Sequence, residues 1–258
     1  MRRRALLIAA AGLPALGALR ARAGVLDEVR SKRRLRVAST FDYRPFSYRA
    51  DGRLCGIDVE LANALAAALD AQIEWVETSW KSLLDDLRQQ RFDVAMCGVS
   101  VTPERAAVGR FTTPYLRTGK TALARCERID RFRSLADIDR DDVRVIVNPG
   151  GSNEAWVRTH LSRAEILVHP DNVSIFAALE RGDADVMITD AIEGDSEHAR
   201  HPALCTSTAP YLAAVEKAWL VPNDAAWTEW LDGWLAGLVA DGTLAAVIAR
   251  NAASNPRD

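Results

Sequence analysis

At 258 residues, with 48% hydrophobic and 26% charged side chains, the chain can bury one large core or two modest ones and has an ordinary globular balance. Residues 1–23 hold five of the 33 basic side chains and no acid, so without them 28 bases face 35 acids, a net charge of −7. That balance excludes the clustered positive footprint of a nucleic-acid binder and leaves room for a small anionic ligand in a local basic pocket.

The chain opens Met1-Arg-Arg-Arg-Ala-Leu-Leu-Ile, a basic segment before an apolar run through Leu19, and Ala21-Arg22-Ala23 offers a small-x-small cleavage site before Gly24. The run is short and broken by Gly12, Pro14 and Gly17. We expect a signal peptide over 1–23, cleaved near Ala23, export to the periplasm, and no membrane insertion after its removal. Four cysteines agree with an oxidising compartment. Cys126 and Cys205 bracket the central part of the chain and are the better disulfide candidate, while Cys55 and Cys97 in apolar surroundings read as buried thiols. No Cys-x-x-Cys or His-rich spacing marks a metal site.

A short helix from Val25 to Arg34 leads to a strand, Leu35–Ser39, and then to an aromatic-rich loop, Thr40–Tyr48, with Asp42 at its centre. Such a loop after a strand suits a ring-shaped ligand, or simply packs through Tyr43 and Phe46. Ile57, Leu61, Leu65 and Leu69 recur at helical spacing, with Asp58 as the expected cap. A strand at Ile73–Val76, the loop Thr78-Ser-Trp80, a helix through Leu83, Leu84 and Leu87, and a strand at Phe92–Cys97 follow. In Gly98-Val-Ser-Val-Thr-Pro-Glu-Arg105, Thr102 caps a helix and Pro103 takes its first position. Arg105 in that first turn is disfavoured by the helix dipole, which points to a ligand carboxylate or a nearby acid.

The middle third repeats this wiring. A strand at Val143–Val147 ends in the turn Asn148-Pro-Gly-Gly-Ser-Asn153, which opens a helix through Trp156, Val157 and His160. The turn lacks the glycine spacing of a dinucleotide fold and the lysine of a phosphate loop, yet can present N–H groups to a carboxylate. A strand at Glu165–Val168 and a helix around Ile175, Phe176 and Leu179 lead to Asp185-Val-Met-Ile-Thr-Asp-Ala-Ile-Glu193. This stretch reads as a buried strand ending in a polar turn with two carboxylates, where open α/β sheets hold ligands. A strand at Ala218–Val221 and a helix striped by Trp227, Leu231, Trp234 and Leu238 return to the first half, and Ala252 to Asp258 reads as a frayed tail.

The runs Leu35-Arg-Val-Ala, Pro45-Phe-Ser-Tyr, Gly56-Ile-Asp-Val, Arg91-Phe-Asp-Val and Thr102-Pro-Glu-Arg105 followed by Phe111-Thr-Thr-Pro-Tyr115 resemble the bacterial extracellular solute-binding proteins for polar amino acids. The resemblance implies a two-lobed α/β periplasmic-binding-protein-like fold of type II, with two hinge strands and the ligand in the interlobe cleft. Residues 24–118 and 211–258 would form lobe 1 and residues 119–210 lobe 2. It also implies that Gly98, Ser100 and Arg105 hold an α-carboxylate.

Within that family, Thr40–Tyr48, Thr78-Ser-Trp80, Gly119-Lys-Thr121, Ile146-Val-Asn-Pro-Gly-Gly-Ser-Asn-Glu154, Ile166–Asn172 and Thr189-Asp-Ala-Ile-Glu193 are similar to the cyclohexadienyl dehydratases. These periplasmic enzymes make phenylpyruvate from prephenate and phenylalanine from arogenate, without a cofactor. The similarity implies that Glu193 is the general acid, that Lys120 and Asn153 assist it, and that Asp42, Trp80, Asn148 and Ser152 surround the substrate. It implies the Cys126–Cys205 pairing and a homo-oligomer, a trimer in that family, although the alanine-rich carboxyl end here is shorter.

The reaction couples loss of carbon dioxide to loss of a ring hydroxyl, a poor leaving group that needs a proton. A carboxylic acid can supply one near neutral pH where a closed apolar site raises its pKa, the setting expected for Glu193. Asp190 either meets the amino group of arogenate or caps a helix. The alternative function is non-enzymatic delivery of an amino acid to a membrane transporter, in which Glu193 has no role.

Overall fold

The computed structural model describes residues 24–207 and 209–252. The expected signal peptide and the tail beyond Ala252 lie outside the described residues. Helix α1 (Val25–Lys32) is followed by β1 (Arg34–Ser39), β2 (Asp42–Tyr43), β3 (Ser47–Ala50), β4 (Arg53–Cys55), α2 (Ile57–Ala68), β5 (Gln72–Glu77), α3 (Leu83–Arg88), β6 (Val94–Ala95), α4 (Pro103–Ala106) and β7 (Arg110–Phe111). The long strand β8 (Leu116–Arg125) crosses to the second lobe, built from α5 (Leu135–Ile138), β9 (Arg144–Val147), α6 (Ser152–His160), β10 (Glu165–Val168), α7 (Ile175–Arg181), β11 (Val186–Asp190), α8 (Ala191–His198) and β12 (Leu204–Thr206). Strand β13 (Ala213–Lys217) runs back antiparallel to β8, and β14 (Leu220–Val221), α9 (Ala225–Ala240) and α10 (Thr243–Ala252) finish on the first lobe.

The repeated wiring is explicit in the two main sheets, which run β5-β1-β6-β14-β7 and β10-β9-β11-β8-β12, with β13 also on β8. In each, the first parallel strand lies between the next two, so the turns after their carboxyl ends face one crevice. The shared Asp-Val pairs have a structural cause. Asp93 accepts the Arg36 amide at 2.8 Å and its guanidinium at 2.6 Å, and Asp185 accepts the Arg144 amide at 3.0 Å and its guanidinium at 3.1 Å. In both lobes the acid before one strand ties it to the start of its neighbour.

Apolar burial holds the layers together. Leu35, Val37, Ile57, Leu61 and Leu65 pack with Trp219, Trp227 and Leu231 in the first lobe, and Val145, Val147, Val186 and Ile188 anchor the second. Each such side chain withdrawn from water contributes about 1.5–3 kcal/mol before entropy is counted. The stripe Trp227, Leu231, Trp234 and Leu238 is core or packs against it, as expected. Among the described residues no single helix is long and apolar enough to cross a membrane.

Several expectations change. Asp58 does not cap α2; Gly56 does, at φ 118° against the Phe46 carbonyl, where a Cβ would collide. Asp58 is fully buried instead and accepts from the Gly98 amide at 2.5 Å, Tyr115 Oη at 2.9 Å and Trp219 Nε1 at 3.1 Å. The segment after Asp190 is the helix α8 rather than a polar turn, and β13 precedes the Ala218–Val221 segment, of which Leu220–Val221 is strand. Cys97 is a buried free thiol, whereas Cys55 is only half-buried. Cys126 and Cys205 are joined across 79 residues, linking the end of β8 to β12. Closing a loop of that length restricts the unfolded chain, a stabilisation of about 2–4 kcal/mol. The Cys126→Ser/Cys205→Ser double variant should lose about that much in urea unfolding; an unchanged midpoint would show that the bridge adds nothing to stability.

Candidate active site

The turns after the parallel strands enclose a narrow, polar-lined cavity between the sheets. Trp80, Gly98 and Ser100 line it from the first lobe, and Asn148, Ser152, Asn153, Asp190 and Glu193 from the second. Tyr43, Asn172 and Lys217 complete it. The cleft is closed: Ser152 Oγ lies 3.3 Å from Ser100 Oγ on the opposite lobe.

The pocket is organised by a buried ion pair. Asp190, at the end of β11, accepts from Lys217 Nζ and Tyr43 Oη through Oδ2, each at 2.6 Å, and Lys120 Nζ lies 3.4 Å from Oδ1. Burial opposes its charge, but the two ammonium groups prevail and hold the carboxyl well below the usual range. Lys217, 1% exposed, also donates to the Gly98 carbonyl at 2.9 Å, Ser100 Oγ at 3.0 Å and the Tyr43 hydroxyl at 2.9 Å. Strand register explains Lys120: β8 and β11 pair antiparallel with Lys120 opposite Asp190. Its ammonium donates to Asn153 Oδ1 at 2.5 Å, and burial lowers its pKa.

Three residues further on, Glu193 faces the same cavity in the opposite protonation state. It is 1% exposed. Asn172 Nδ2 donates to Oε1 at 3.0 Å and the Thr189 hydroxyl bonds Oε2. Burial pushes its pKa up to about 8, with the Asp190 charge adding to the rise and the two hydrogen bonds only partly offsetting it. Near neutral pH it is a protonated acid. The same Asn172 Nδ2 donates to the Asp42 carbonyl at 3.0 Å, so one amide ties the acid to the other lobe.

On the remaining wall, the start of α6, whose first amides have no intrahelical partners, contributes Ser152 and Asn153 to the lining. Asn148, 4% exposed, makes no side-chain hydrogen bond among the described residues and lines that wall. Trp80 stands edge-on to Tyr43, ring centroids 5.5 Å apart.

Arg105, Lys120 and Asp42 do not line the inner cavity, and Gly98 lines it differently than expected. Arg105 is buried over the Trp80 ring and donates to the Ser100 carbonyl at 2.9 Å. It lines a wider outer groove with Lys120 rather than the inner cavity, and Thr102 and Pro103 start its helix as expected. Asp42 lines neither space. Its pKa is raised by burial, with hydrogen bonds from Thr40 and Trp80 partly offsetting, and Oδ1 has no hydrogen-bond partner among the described residues. The Gly98 amide is committed to Asp58, so this glycine brings the cavity a carbonyl, at φ 68°, where a Cβ would meet the Phe46 ring at 2.5 Å. The turn Asn148–Asn153, by contrast, opens α6 onto the cavity as its sequence implies.

Sequence reading missed Lys217, Asn172 and the polar role of Tyr43. Asn172 follows a strand in a His-Pro-Asp-Asn turn, a position that carried a usable signal. Lys217 carried none, because only the pairing of β13 with β8 brings it inward.

Residues 35–252 match the bacterial extracellular solute-binding proteins, family 3. The chain belongs to that family. Among family members it is 45% identical to the cyclohexadienyl dehydratase of Pseudomonas aeruginosa over 231 residues, 88% of this chain and 86% of the relative. An ancestral amino acid-binding protein, a precursor of cyclohexadienyl dehydratase, superposes with a TM-score of 0.81 at 30% identity, covering 87% of this chain and 98% of the other. An ancestral cyclohexadienyl dehydratase aligns at 42% identity with a TM-score of 0.56, covering 90% and 98%. The two-lobed α/β fold expected from the sequence is therefore the fold of the family.

Because the folded state holds Glu193 protonated, its neutral form is an asset that is complete below the unfolded value of 4.5 and lost as pH rises through about 8. Glu193→Gln should remove this dependence: the variant gains stability relative to the parent between pH 5 and 9 in thermal melts. A parallel pH profile for the two proteins would mean that Glu193 is not held neutral.

Proposed function

We propose that the chain is a cyclohexadienyl dehydratase acting on prephenate and arogenate. The observation that carries the reading is a buried carboxylic acid, with its pKa near 8, facing a cavity beside two ammonium groups. The 45% identity to a curated dehydratase over most of both chains supports it.

In this mechanism Glu193 gives its proton to the ring hydroxyl as the carbon–oxygen bond breaks, and water departs. The electron pair of the bond to the ring carboxylate moves into the ring, carbon dioxide leaves, and the ring becomes aromatic. The acid regains its proton from solvent after product release. Positioned acid catalysis contributes roughly 10²–10⁴ in rate. Asn148, Ser152 and the first amides of α6 hold carboxylate oxygens as neutral donors, which suits a group that must leave. Lys120 assists by positioning Asn153, and Trp80 with Tyr43 sets the ring plane. Arg105 adds positive charge at the mouth. Asn172 is a positioning residue: it bonds the acid only while also bridging to the other lobe, so closure and acid placement coincide.

The lobes divide as 24–118 with 211–258, and 119–210, with β8 and β13 as the hinge. Membership of an extracellular family and the disulfide support export to the periplasm with cleavage near Ala23; amino-terminal sequencing of the exported protein should read Gly24. The alternative, amino-acid delivery to a transporter, draws on the likeness to the ancestral binding protein and is separated by turnover.

Purified protein incubated with prephenate should form phenylpyruvate, and tight binding of a free amino acid with no turnover would make it a transport protein. Glu193→Gln should lose about 10²–10⁴ in kcat while still binding prephenate; full activity would remove Glu193 from the mechanism. The rate should fall as pH rises through about 8, where Glu193 ionises. Asn172→Ala deletes a donor that favours the ionised acid, so kcat should drop and the alkaline limb should move to higher pH. A drop with an unmoved limb would limit Asn172 to holding the lobes.

A further inference from the structure

The inner cavity is rich in donors, and among the described residues its one ionised carboxylate, Asp190, is already paired: Lys217 and Tyr43 donate to Oδ2 at 2.6 Å each, and Lys120 faces Oδ1 at 3.4 Å. Asn153 Oδ1 is taken by Lys120 at 2.5 Å, and the Gly98 carbonyl and Ser100 Oγ by Lys217 at 2.9 and 3.0 Å. Glu193 accepts from Asn172 and engages Thr189. A ligand ammonium would thus enter beside two buried ammonium groups that already face both oxygens of Asp190, and like charges so placed oppose binding strongly. A ketone oxygen needs only a donor, and the side-chain amide of Asn148 in the lining has two N–H groups, one for a carboxylate oxygen and one for the ketone.

We propose that Lys217, by pairing with Asp190 and placing its charge there, makes this pocket select a 2-oxo acid over the 2-amino acid of the same carbon skeleton. Prephenate is then the preferred substrate over arogenate. The inference rests on the dehydratase reading for the skeleton, and on the hydrogen-bond geometry for the selectivity. Lys217 acts through Asp190, so its role is to determine specificity without touching the reacting atoms.

The wild-type full chain is titrated calorimetrically with phenylpyruvate and with L-phenylalanine, which carry the two alternative side chains and need no turnover. Phenylpyruvate should bind about 10- to 100-fold more tightly, the worth of one charged hydrogen bond. Equal or tighter binding of L-phenylalanine, or binding of neither, overturns the proposal. The ratio of kcat/KM for prephenate over arogenate should favour prephenate by a similar factor. Absence of turnover with both would sink the dehydratase reading, while the binding ratio would still decide the selectivity. Lys217→Met should bring the binding ratio toward one by freeing an Asp190 oxygen for the ammonium, and Lys217→Gln, which keeps a donor to Asp190, should bring it part of the way. An unchanged ratio in either folded variant assigns Lys217 to structure alone.

Discussion

The site depends on the buried ion pair between Asp190 and Lys217. The pair joins the two lobes, since Asp190 ends a strand of the second sheet and Lys217 reaches the Gly98 carbonyl and Ser100 hydroxyl of the first. Two charges removed from water are costly, and each is tolerated only because the other and its hydrogen-bond partners are in place. Tyr43 is locked by the same pair and in turn stands against Trp80, so the aromatic wall inherits its position from the electrostatics.

From this anchor follows the separation of two acids only three residues apart. Asp190 has two ammonium partners and stays ionised, while Glu193, one helical turn on, lies against Thr189 and Asn172 in a closed space. Its neutral state is reinforced by the charge of Asp190. Environments that push neighbouring carboxyl groups in opposite directions give one fold both an electrostatic anchor and a proton donor.

The family context gives this arrangement meaning. The fold here supplies a cleft between two lobes, a helix-opening turn and an acid at the end of a strand. On it, Glu193 in the short helix α8 is held neutral and is contacted by Asn172, which also reaches the other lobe. The fold by itself does not decide between binding and chemistry; the protonation state of one buried side chain bears on it.

Much of the architecture was legible in the chain. Strands buried on both faces must be continuously apolar, helices packed on one side must be periodic, and tight turns require glycine, proline or asparagine, so Val186–Ile188, the stripe from Trp227 to Leu238 and the turn at Asn148–Asn153 were read from local pattern. The repeated Asp-Val pairs were visible too, though not their purpose. Tertiary structure alone decided which charges meet: Tyr43 and Asp190 are 147 residues apart in sequence, and Lys217 and Ser100 are 117 apart. Local periodicity fixes which face a side chain takes but carries no record of its partner across a cleft. That is why Asp58 read as a cap and proved a buried hub, and why the bond from Arg105 to the Ser100 carbonyl was not foreseen. The apolar pattern determined the fold; the pairing of strands determined the site.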